Sequence, residues 1–261
     1  MPELPDLEIY KMNLSKRLKS KRLESVSVFN FRKIIVPETY LSDELRGREL
    51  VNIDRIGKEL YFDFGDEKIV SAHLMLSGRM DIVQKTDAPK VKYKLFSFNF
   101  QDESLVFSDE GGLCAVKYKP APNNTPDALD ASFTLDYFLK AVRKKPKMAI
   151  KAFLIDQKII RGIGNAYVDE ILWAARVSPR SAAGKIPDDA LVTLYNSIGA
   201  VLKNAIDSIK NISGGIISGE ERSFLKVHNK FITETETGHK ILFERIDSKP
   251  TYYTDEQVLY L

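Results

Sequence analysis

The stretch that decides the fold is Ile159–Trp173, which reads IIRGIGNAYVDEILW. A first helix is predicted from Met148 to about Lys158 and ends in the glycine turn of this stretch, which contains Gly162 and Gly164. A second helix is predicted to begin near Asn165. Small residues let the backbone come close to a phosphate, and the N–H groups at a helix start bind anions. The alternative is a plain helical hairpin, because glycine-rich turns are common. The added Asn165, Tyr167 and Glu170 make the pattern more specific than a pair of glycines.

The chain on either side of this stretch shows two different periodicities. Before it, from Leu23 to about Val116, the runs Leu60–Phe64 and Phe96–Phe100 alternate apolar and polar residues, which is typical of half-buried strands. An opening helix is predicted ahead of these strands, with one apolar face formed by Leu7, Tyr10, Leu14 and Leu18. After the stretch, Asp188 is predicted to cap a long helix whose apolar stripe is Leu191, Leu194, Tyr195, Ile198, Val201, Leu202, Ala205 and Ile209.

Two further segments complete the outline of the domains. Lys119–Asn124 is rich in proline and asparagine and is predicted to be a linker. Beyond Gly214-Gly215, short strands are expected at Lys240–Phe243 and Thr251–Tyr253. The order is therefore a β-rich part, then a helical part, then a small β appendage.

Composition bounds the class of protein and its location. The chain of 261 residues is 44% hydrophobic and 29% charged, as expected for an ordinary globular protein. A net charge of +3 permits an anionic partner without requiring one. Cys114 is the only cysteine, which excludes an intramolecular disulfide and a multi-cysteine metal site. No apolar run is long enough for a membrane span and no signal peptide is evident, so we expect no membrane association and a cytoplasmic location.

The N-terminus, Met1-Pro2-Glu3-Leu4-Pro5, is the first segment that can carry chemistry. Removal of Met1 would expose the secondary amine of Pro2, which can add to C1′ of a sugar and form a Schiff base. An α-amino group with a pKa of about 7.7–8.0 has a usable free-base fraction at neutral pH. Glu3 would then be the proton carrier that this chemistry needs. The alternative is that Met-Pro starts many proteins and that Pro5 only opens a helix.

A second segment, Arg55–Leu60, places Lys58 just before an apolar strand, with His73–Gly78 one strand later. A lysine at such a position can point into a cleft and bind a phosphate. The alternative is a solvated surface lysine, which describes most lysines.

Taken in order, these segments resemble the formamidopyrimidine-DNA glycosylase and endonuclease VIII (Fpg/Nei) family over essentially the whole chain. The motifs that carry the resemblance are Pro2-Glu3-Leu4-Pro5 and the helix–two-turn–helix signature Gly162–Tyr167 with Glu170-Ile171-Leu172. The implied fold is a multidomain α+β protein. It would consist of an N-terminal β-sandwich catalytic domain with an opening helix over residues 1–122, a helix–two-turn–helix DNA-binding domain over 123–230 and a finger hairpin over 231–261.

The resemblance also implies a reaction and a set of site residues. The family flips a damaged base out of the duplex, at a cost of a few kcal/mol of unstacking. The residue matching Pro2 attacks C1′ and releases the base, the one matching Glu3 handles protons at the sugar, and the one matching Lys58 contacts phosphate and assists catalysis. Elimination then cuts the strand, and neither a cofactor nor a metal is required.

For binding, the resemblance implies that Asn165, beside Gly164 and Tyr167 in the turn, holds the phosphates that flank the lesion. Leu76 matches the side chain that fills the hole left by the flipped base, and its alternative is an ordinary core leucine.

The finger departs from the family pattern. Relatives carry two Cys-x-x-Cys pairs, and the matching positions here are Glu234 and Thr237, then Thr254 and Gln257. No zinc is expected, so this segment resembles the zincless finger of some relatives, a hairpin held by packing. Lys249 matches the arginine that clamps phosphate in relatives. It keeps the charge but loses the bidentate fork.

A second departure lies in the segment Phe107–Leu113. Where Gly111, Gly112 and Leu113 stand, relatives of the Fpg branch carry an Arg-Arg-Phe run that inserts into the stack and reads the base opposite the lesion. Its loss puts opposite-base discrimination in doubt. The stretch Ile212–Phe224 is also short beside the lesion-capping loop of Fpg enzymes.

Two classes of function therefore stay open. The favoured one is a monomeric bifunctional glycosylase and abasic-site lyase that acts on oxidised bases in double-stranded, and also in single-stranded, damaged DNA with relaxed demands on the opposite base. It would be cytoplasmic and nucleoid-associated in a bacterium. The second is a non-catalytic binder of DNA damage or DNA structure. A weaker hypothesis takes only the helix–two-turn–helix, which also occurs in some ribosomal and topoisomerase proteins. The trio Pro2, Glu3 and Lys58 favours the enzyme, whereas Gly111 and Gly112 favour the binder.

Overall fold

The computed structural model describes residues 1–30 and 36–261. In these ranges the chain forms two compact units. The first comprises residues 1–2, 6–123 and 213–220, and the second comprises residues 3–5, 124–212 and 221–261.

The first unit contains a β-sandwich of two four-stranded antiparallel sheets among the described residues. One sheet has the order β1-β6-β7-β5 and the other has the order β2-β3-β4-β8. The strands are β1 (Leu23–Val28), β2 (Asn52–Ile56), β3 (Glu59–Asp63), β4 (Ile69–His73), β5 (Arg79–Gln84), β6 (Lys94–Phe100), β7 (Glu103–Ser108) and β8 (Ala115–Tyr118). The unit also contains most of α1 (Leu4–Leu18) and the helix α2 (Glu38–Leu45).

Alternating apolar residues explain how the two sheets pack. Phe62 of β3, Phe96 and Phe98 of β6 and Phe107 of β7 are fully buried in one core cluster. Their rings meet edge-on or tilted, with centroids 4.9–6.0 Å apart, a geometry that aromatic pairs prefer. The predicted apolar face of α1, which is Leu7, Tyr10, Leu14 and Leu18, joins the same cluster. The opening helix and both predicted strand runs are thus confirmed.

The second unit is helical and carries the predicted helix pair. Its helices are α3 (Leu135–Lys144), α4 (Ile150–Ile155), α5 (Asn165–Ala174) and α6 (Asp188–Ser213). Only the last residue of α6, Ser213, belongs to the first unit. The stripe of α6 is buried at Leu191, Leu194, Ile198, Leu202, Ala205 and Ile209, whereas Tyr195 and Val201 are only partly buried. The long helix is therefore confirmed, with a slightly narrower apolar face than predicted.

The second unit ends in a two-stranded hairpin, β9 (Leu242–Ile246) and β10 (Lys249–Tyr253). Asp247 and Ser248 form its turn, with φ of +48° and +63°. Two consecutive residues in the left-handed region give a tight turn whose twist matches that of the flanking strands. The predicted α+β architecture of sandwich, helical part and hairpin is confirmed.

One predicted extent needs correction, and two helices were not predicted. The helix expected over Met148–Lys158 is only α4, because Ala149 is extended and bridges Ala182. At its other end, the Asp156 carboxylate accepts the N–H of Lys158 and closes a turn. Helices α2 and α3 were not predicted, although Thr134 caps α3 by accepting the N–H of Tyr137 at 3.1 Å.

The domain limits at 122 and 230 stay predictions. Residues 213–220 pack as part of the first unit even though they follow α6 in sequence. Within the described ranges, no helix has both the length and the apolar character that a bilayer span requires.

Candidate active site and DNA-binding surface

Pro2 lies in the wall of an open pocket of the first unit. The pocket has a volume of about 700 Å³. Its other lining residues come from four parts of the sandwich, which are the β4–β5 turn, the start of β5, the segment before β6 and the end of β7, and from Ser213–Glu220, called the returning segment below. They are Leu76, Ser77, Gly78, Arg79, Asp81, Val91, Lys92, Tyr93, Ser108, Asp109, Glu110, Gly219 and Glu220. In this chain the Pro2 nitrogen is an amide, and the ammonium group of Met1 forms an ion pair with Glu220.

The returning segment Ser213–Glu220 is fixed to the first unit by hydrogen bonds. Asn13 of α1 donates its Nδ2 to the carbonyls of Gly214 at 2.9 Å and Ile216 at 2.7 Å. The Tyr10 hydroxyl donates to the Gly219 carbonyl. Ser218 accepts the N–H of Met80 and donates to the Met80 carbonyl, both at 2.6 Å. This side of the pocket is therefore held in place, without any ligand, by hydrogen bonds between residues that lie more than 130 positions apart in the sequence.

A tight turn presents Leu76 at the mouth of the same pocket. The N–H of Gly78 donates to the Leu74 carbonyl at 2.9 Å, and a Cβ at Gly78 would lie only 2.2 Å from that oxygen. Met75 takes a φ of +56°, and its N–H donates to His73 Nδ1 at 3.0 Å. Leu76 is 66% exposed, so it is not an ordinary core leucine.

Lys58 occupies the two-residue turn between β2 and β3, after Gly57 with φ +64°. It is 8% exposed and so is not a solvated surface lysine. Burial lowers the pKa of His73, and the positive charge of Lys58 lowers it further while Glu59 opposes the shift. Lys58 and His73 therefore lie close enough for the charge of one to affect the other. The sequence analysis had noted His73 only as part of a segment one strand later.

The segment after β7 forms a turn centred on the buried carboxylate of Asp109. Asp109 accepts the N–H groups of Gly111, Leu113 and Cys114 at 3.0, 2.6 and 2.7 Å, and the Ser77 hydroxyl at 2.5 Å. Burial raises the pKa of Asp109, but the four donors outweigh it and the net pKa is lowered. Gly112 takes a φ of +61°. The turn presents an exposed carboxylate, Glu110, and a 40% exposed Leu113.

Glu3 belongs to the second unit, where its carboxylate caps α5. It accepts the N–H groups of Ala166 at 2.9 Å and Tyr167 at 3.4 Å, and it is 4% exposed. Gly164 precedes α5 with extended backbone and has no side chain to do this. Leu4 fills the space above Gly162, whose φ is +105° and where a Cβ would lie 2.6 Å from Leu4 Cδ1. The carboxylate at this helix start is therefore the chain's own Glu3, and phosphate binding by the glycine turn stays a prediction.

The remaining turn residues have mixed environments. Asn165 donates its Nδ2 to the Pro250 carbonyl at 2.8 Å, and its buried Oδ1 has no hydrogen-bond partner among the described residues. Tyr167 is fully buried, and its hydroxyl accepts a hydrogen bond from Arg222 Nη1 at 3.0 Å. Lys249 is exposed at the start of β10. Asn165 and the hairpin are thus in contact, whereas Tyr167 supports the site from the core.

A buried ion pair, which sequence reasoning missed, joins this helix pair to the hairpin. Lys151 of α4 and Asp169 of α5 are 2% and 0% exposed at their side chains, with Nζ and Oδ1 2.8 Å apart. Lys151 also donates to the Pro250 carbonyl at 3.0 Å and to Thr251 Oγ1 at 2.8 Å. Burial lowers the pKa of Lys151, and Asp169 acts in the opposite direction. Asp169 Oδ2 additionally binds His228 Nδ1 at 2.7 Å and the N–H of Tyr252 at 3.0 Å.

Three of the four positions that match zinc-ligating cysteines, Thr237, Thr254 and Gln257, lie in a hydrogen-bonded cluster. Glu256 accepts from Thr237 at 2.9 Å, from Thr254 at 3.3 Å and from Trp173 Nε1 at 3.1 Å, and it forms an ion pair with Arg176. Gln257 accepts the N–H of Thr254 at 2.8 Å and donates to the Val177 carbonyl at 2.9 Å. No group of three or more His, Cys, Asp or Glu with a metal-binding arrangement occurs in residues 1–30 and 36–261.

Comparison with known proteins connects both units to one family. Residues 1–115 match the formamidopyrimidine-DNA glycosylase N-terminal domain, and residues 125–215 match the formamidopyrimidine-DNA glycosylase H2TH domain. The formamidopyrimidine-DNA glycosylase of Lactobacillus johnsonii is 33% identical over 210 residues, which is 76% of this chain and 75% of that protein. The chain belongs to the formamidopyrimidine-DNA glycosylase family.

Other members agree over a longer span. The formamidopyrimidine-DNA glycosylase of Carboxydothermus hydrogenoformans is 33% identical over 237 residues, covering 88% of this chain and 89% of that protein. The crystal structure of LlFpg with a THF-DNA and an inhibitor is 26% identical with a TM-score of 0.88, covering 98% of this chain and 100% of that one. Lactococcus lactis Fpg in complex with an abasic site containing DNA gives 26% identity, a TM-score of 0.86 and coverage of 98% and 99%.

Proposed function

We propose that this member of the formamidopyrimidine-DNA glycosylase family removes oxidised bases from DNA through a Schiff base on Pro2 and then cuts the strand. Family membership makes the chain a DNA repair glycosylase, a hydrolase of N-glycosyl bonds, and abasic-site lyase activity is typical of the family. The observation that carries the proposal is the position of Pro2, which is buried in the wall of a 700 Å³ pocket and directly follows Met1.

The reaction begins once Met1 has been removed. The free Pro2 nitrogen bonds to C1′, the glycosidic bond breaks, and its electron pair leaves with the base, which takes up a proton. Opening of the sugar ring gives an iminium ion, whose formation acidifies the C2′ proton. Loss of that proton expels the 3′-phosphate, and water then hydrolyses the iminium and restores Pro2. These steps consume only water and need no cofactor.

Six other residues take supporting roles in this proposal. Glu3 carries protons at the sugar, with its carboxylate oriented by the start of α5. Lys58 assists catalysis and contacts phosphate from the β2–β3 turn. Asn165 and Lys249 bind the phosphates that flank the lesion, a role supported by the contact between Asn165 and the hairpin that carries Lys249. Gly164 allows close approach, and Tyr167 acts through Arg222.

Leu76 fills the gap that the flipped base leaves in the duplex. Its 66% exposure at the mouth of the pocket supports this role, because a solvent-exposed leucine on a tight turn is available for insertion. The Asp109 turn beside it offers no arginine to read the opposite base. We therefore propose relaxed opposite-base specificity and activity on single-stranded DNA.

The second candidate is a protein that binds damaged DNA without processing it. The observation that favours it is the same Asp109 turn, in which Gly111 and Gly112 offer no side chain to read DNA. Both candidates take damaged DNA as partner. Since that partner is the cell's own DNA, we infer an intracellular protein, acting as a monomer and associated with the nucleoid in a bacterium.

Borohydride trapping distinguishes the two. The full chain, with removal of Met1 verified by mass spectrometry, is incubated with a labelled abasic-site duplex and sodium borohydride. A Schiff-base enzyme gives a covalent adduct, whereas a pure binder gives a gel shift that does not survive denaturation. Absence of the adduct from protein that binds the duplex would establish the binder.

A further inference from the structure

A second pocket, in the helical unit, lies beside the hairpin. It has a volume of about 520 Å³, and its lining includes Arg222, His228, Lys230, Phe231 and Tyr252. We propose that this Phe231 pocket binds an unpaired nucleotide of the DNA, with the base stacked on Phe231 and the phosphate held by the basic residues. The inference rests on the proposed function in that it takes DNA as the partner.

Phe231 supplies the stacking surface. It is 83% exposed, which is unfavourable for a phenylalanine unless a partner covers it. Lys230 Nζ lies 4.9 Å from the centroid of its ring, so a cation already sits against the aromatic face. Aromatic faces beside cations are the combination that binds single-stranded nucleic acid, because every base has a π-face and every nucleotide a phosphate.

The opposite wall is held rigidly before any ligand arrives. The ring centroids of His228 and Tyr252 are 4.8 Å apart with an interplanar angle of 68°, and those of Phe243 and Tyr252 are 5.0 Å apart. Asp169 fixes both residues, since it binds His228 Nδ1 and the N–H of Tyr252 while it is paired with buried Lys151. A preformed wall lowers the entropy lost on binding.

Charge and size select a nucleotide over other ligands. Three of the lining residues are Arg222, His228 and Lys230, and the described lining contains no Asp or Glu. That balance suits a phosphate. The volume falls in the range of about 300–1,000 Å³ that is typical of small-ligand pockets, which suits one nucleotide and not a folded domain.

The test measures binding of the full chain to a labelled oligonucleotide of six thymidines and to a matched six-unit strand of base-free tetrahydrofuran phosphates. Phe231→Leu keeps an apolar side chain but loses the aromatic face, and Phe231→Trp keeps the face. We expect Phe231→Leu to raise the Kd for the thymidine oligonucleotide roughly tenfold, which is the scale of one lost base–aromatic stack. Trp should bind as the parent does, and its fluorescence should be quenched. All three proteins should bind the base-free strand equally.

Three results would overturn the inference: unchanged thymidine binding by Phe231→Leu, an equal loss on the base-free strand, or equal competition by a hexaglutamate peptide, which would indicate a site for acidic peptides. Borohydride trapping with the parent and Phe231→Leu separates this inference from the proposed function. If no protein is trapped but stacking is seen, the proposed function fails alone. If trapping is normal and the Leu variant binds thymidines as the parent does, the inference fails alone.

Discussion

At the scale of single residues, the chain uses buried carboxylates to organise backbone N–H groups. Glu3 caps α5 where Gly164 cannot, and Asp109 collects three N–H groups around two glycines. Glu170 does the same for the backbone of Lys226, Val227 and His228 at 2.7–3.0 Å. In each case a buried acid is stabilised by oriented donors, which is how burial of a charge becomes tolerable.

Replacing Pro2 with Gly should leave DNA affinity nearly unchanged, because affinity comes mostly from phosphate contacts. Base release and strand cutting should slow by roughly a hundredfold, because glycine keeps an α-amino group after removal of Met1 but loses the secondary amine and the ring that holds it in one direction. Single-turnover cleavage and gel-shift titration of the same preparation measure both quantities. Cleavage at the parental rate would show that the proline ring and its secondary amine are not required for catalysis.

Asp109→Asn should destabilise the first unit by about 2 kcal/mol at pH 7, because it replaces one accepting carboxylate oxygen with an NH2 group that cannot accept a hydrogen bond. One pair of donors, Gly111 N–H with the Ser77 hydroxyl or Leu113 N–H with Cys114 N–H, then loses its acceptor, and the other pair keeps only a neutral one. The lowered pKa of Asp109 means that this stability is present above the ordinary aspartate pKa and is lost as pH falls through the folded pKa. The difference between parent and variant should therefore shrink in acid. Urea unfolding at pH 7 and in acid measures it.

Glu110→Gln is the matched control, since Glu110 is exposed in the same turn. It should change unfolding by no more than about 0.5 kcal/mol. An equal loss in both variants would mean that the turn responds to net charge and not to the cap.

At the scale of elements, the hairpin is attached to the helix pair by polar side chains. Lys151 reaches Pro250 and Thr251 from α4, and Asp169 reaches Tyr252 from α5. Glu256 accepts hydrogen bonds from Thr237 and Thr254, one from each pair of positions that match the cysteines of relatives, and from Trp173 in α5. Hydrogen bonds therefore join the elements that a metal ion joins in zinc-containing relatives.

Lys151→Met should destabilise the second unit by about 3–5 kcal/mol, because it leaves the carboxylate of Asp169 buried without its charged partner. Proteolysis at the hairpin should accelerate accordingly, since the hairpin loses two hydrogen bonds from the same ammonium group. Lys147→Met, at an exposed position, is the control and should behave as the parent. Parental stability of Lys151→Met would contradict the role of the ion pair.

Glu256→Ala should lower the melting temperature by about 5 °C, because it leaves four donors without their acceptor. Burial raises the pKa of Glu256, but bonds from Trp173, Thr237 and Arg176 outweigh it, so the net pKa is lowered and this stability is lost only in acid. A chelator should leave the parental melting temperature unchanged. Stoichiometric zinc in metal analysis of the purified protein, or unfolding by the chelator, would show that the cluster is not what holds the hairpin.

At the scale of the whole molecule, the loss of the base-reading run has a consequence for substrate choice. A bidentate arginine contact is worth about 1–3 kcal/mol of discrimination. Without it, cleavage of one oxidised base should vary less than about tenfold across the four opposite bases, and single-stranded DNA should be a comparatively good substrate. Single-turnover rates on five matched substrates measure this. A hundredfold preference for one partner would show that another segment reads the opposite strand.

Periodicity and turn chemistry in the sequence determined the architecture. Phe96–Phe100 alternates because its three phenylalanines belong to the core cluster of the first unit, and the stripe of α6 repeats because one side of its helix is buried. The N-terminal motif and the glycine turn likewise pointed to Pro2, Glu3 and Asn165. These features are local, so they can be recognised from residues a few positions apart. Helix α3 was missed although its cap, Thr134, was readable, whereas α2 has no side-chain cap to find.

Only the tertiary structure decided which distant groups meet. Nothing near Glu3 in sequence indicates that its carboxylate caps α5, and nothing near Lys151 indicates that it pairs with Asp169 and the hairpin. The return of residues 213–220 to the first unit depends on Asn13 and Ser218, which are separated from their partners by more than 130 positions. Such contacts leave no periodic pattern. They form because folding removes water from polar groups, and each group must then find a partner wherever the chain brings one.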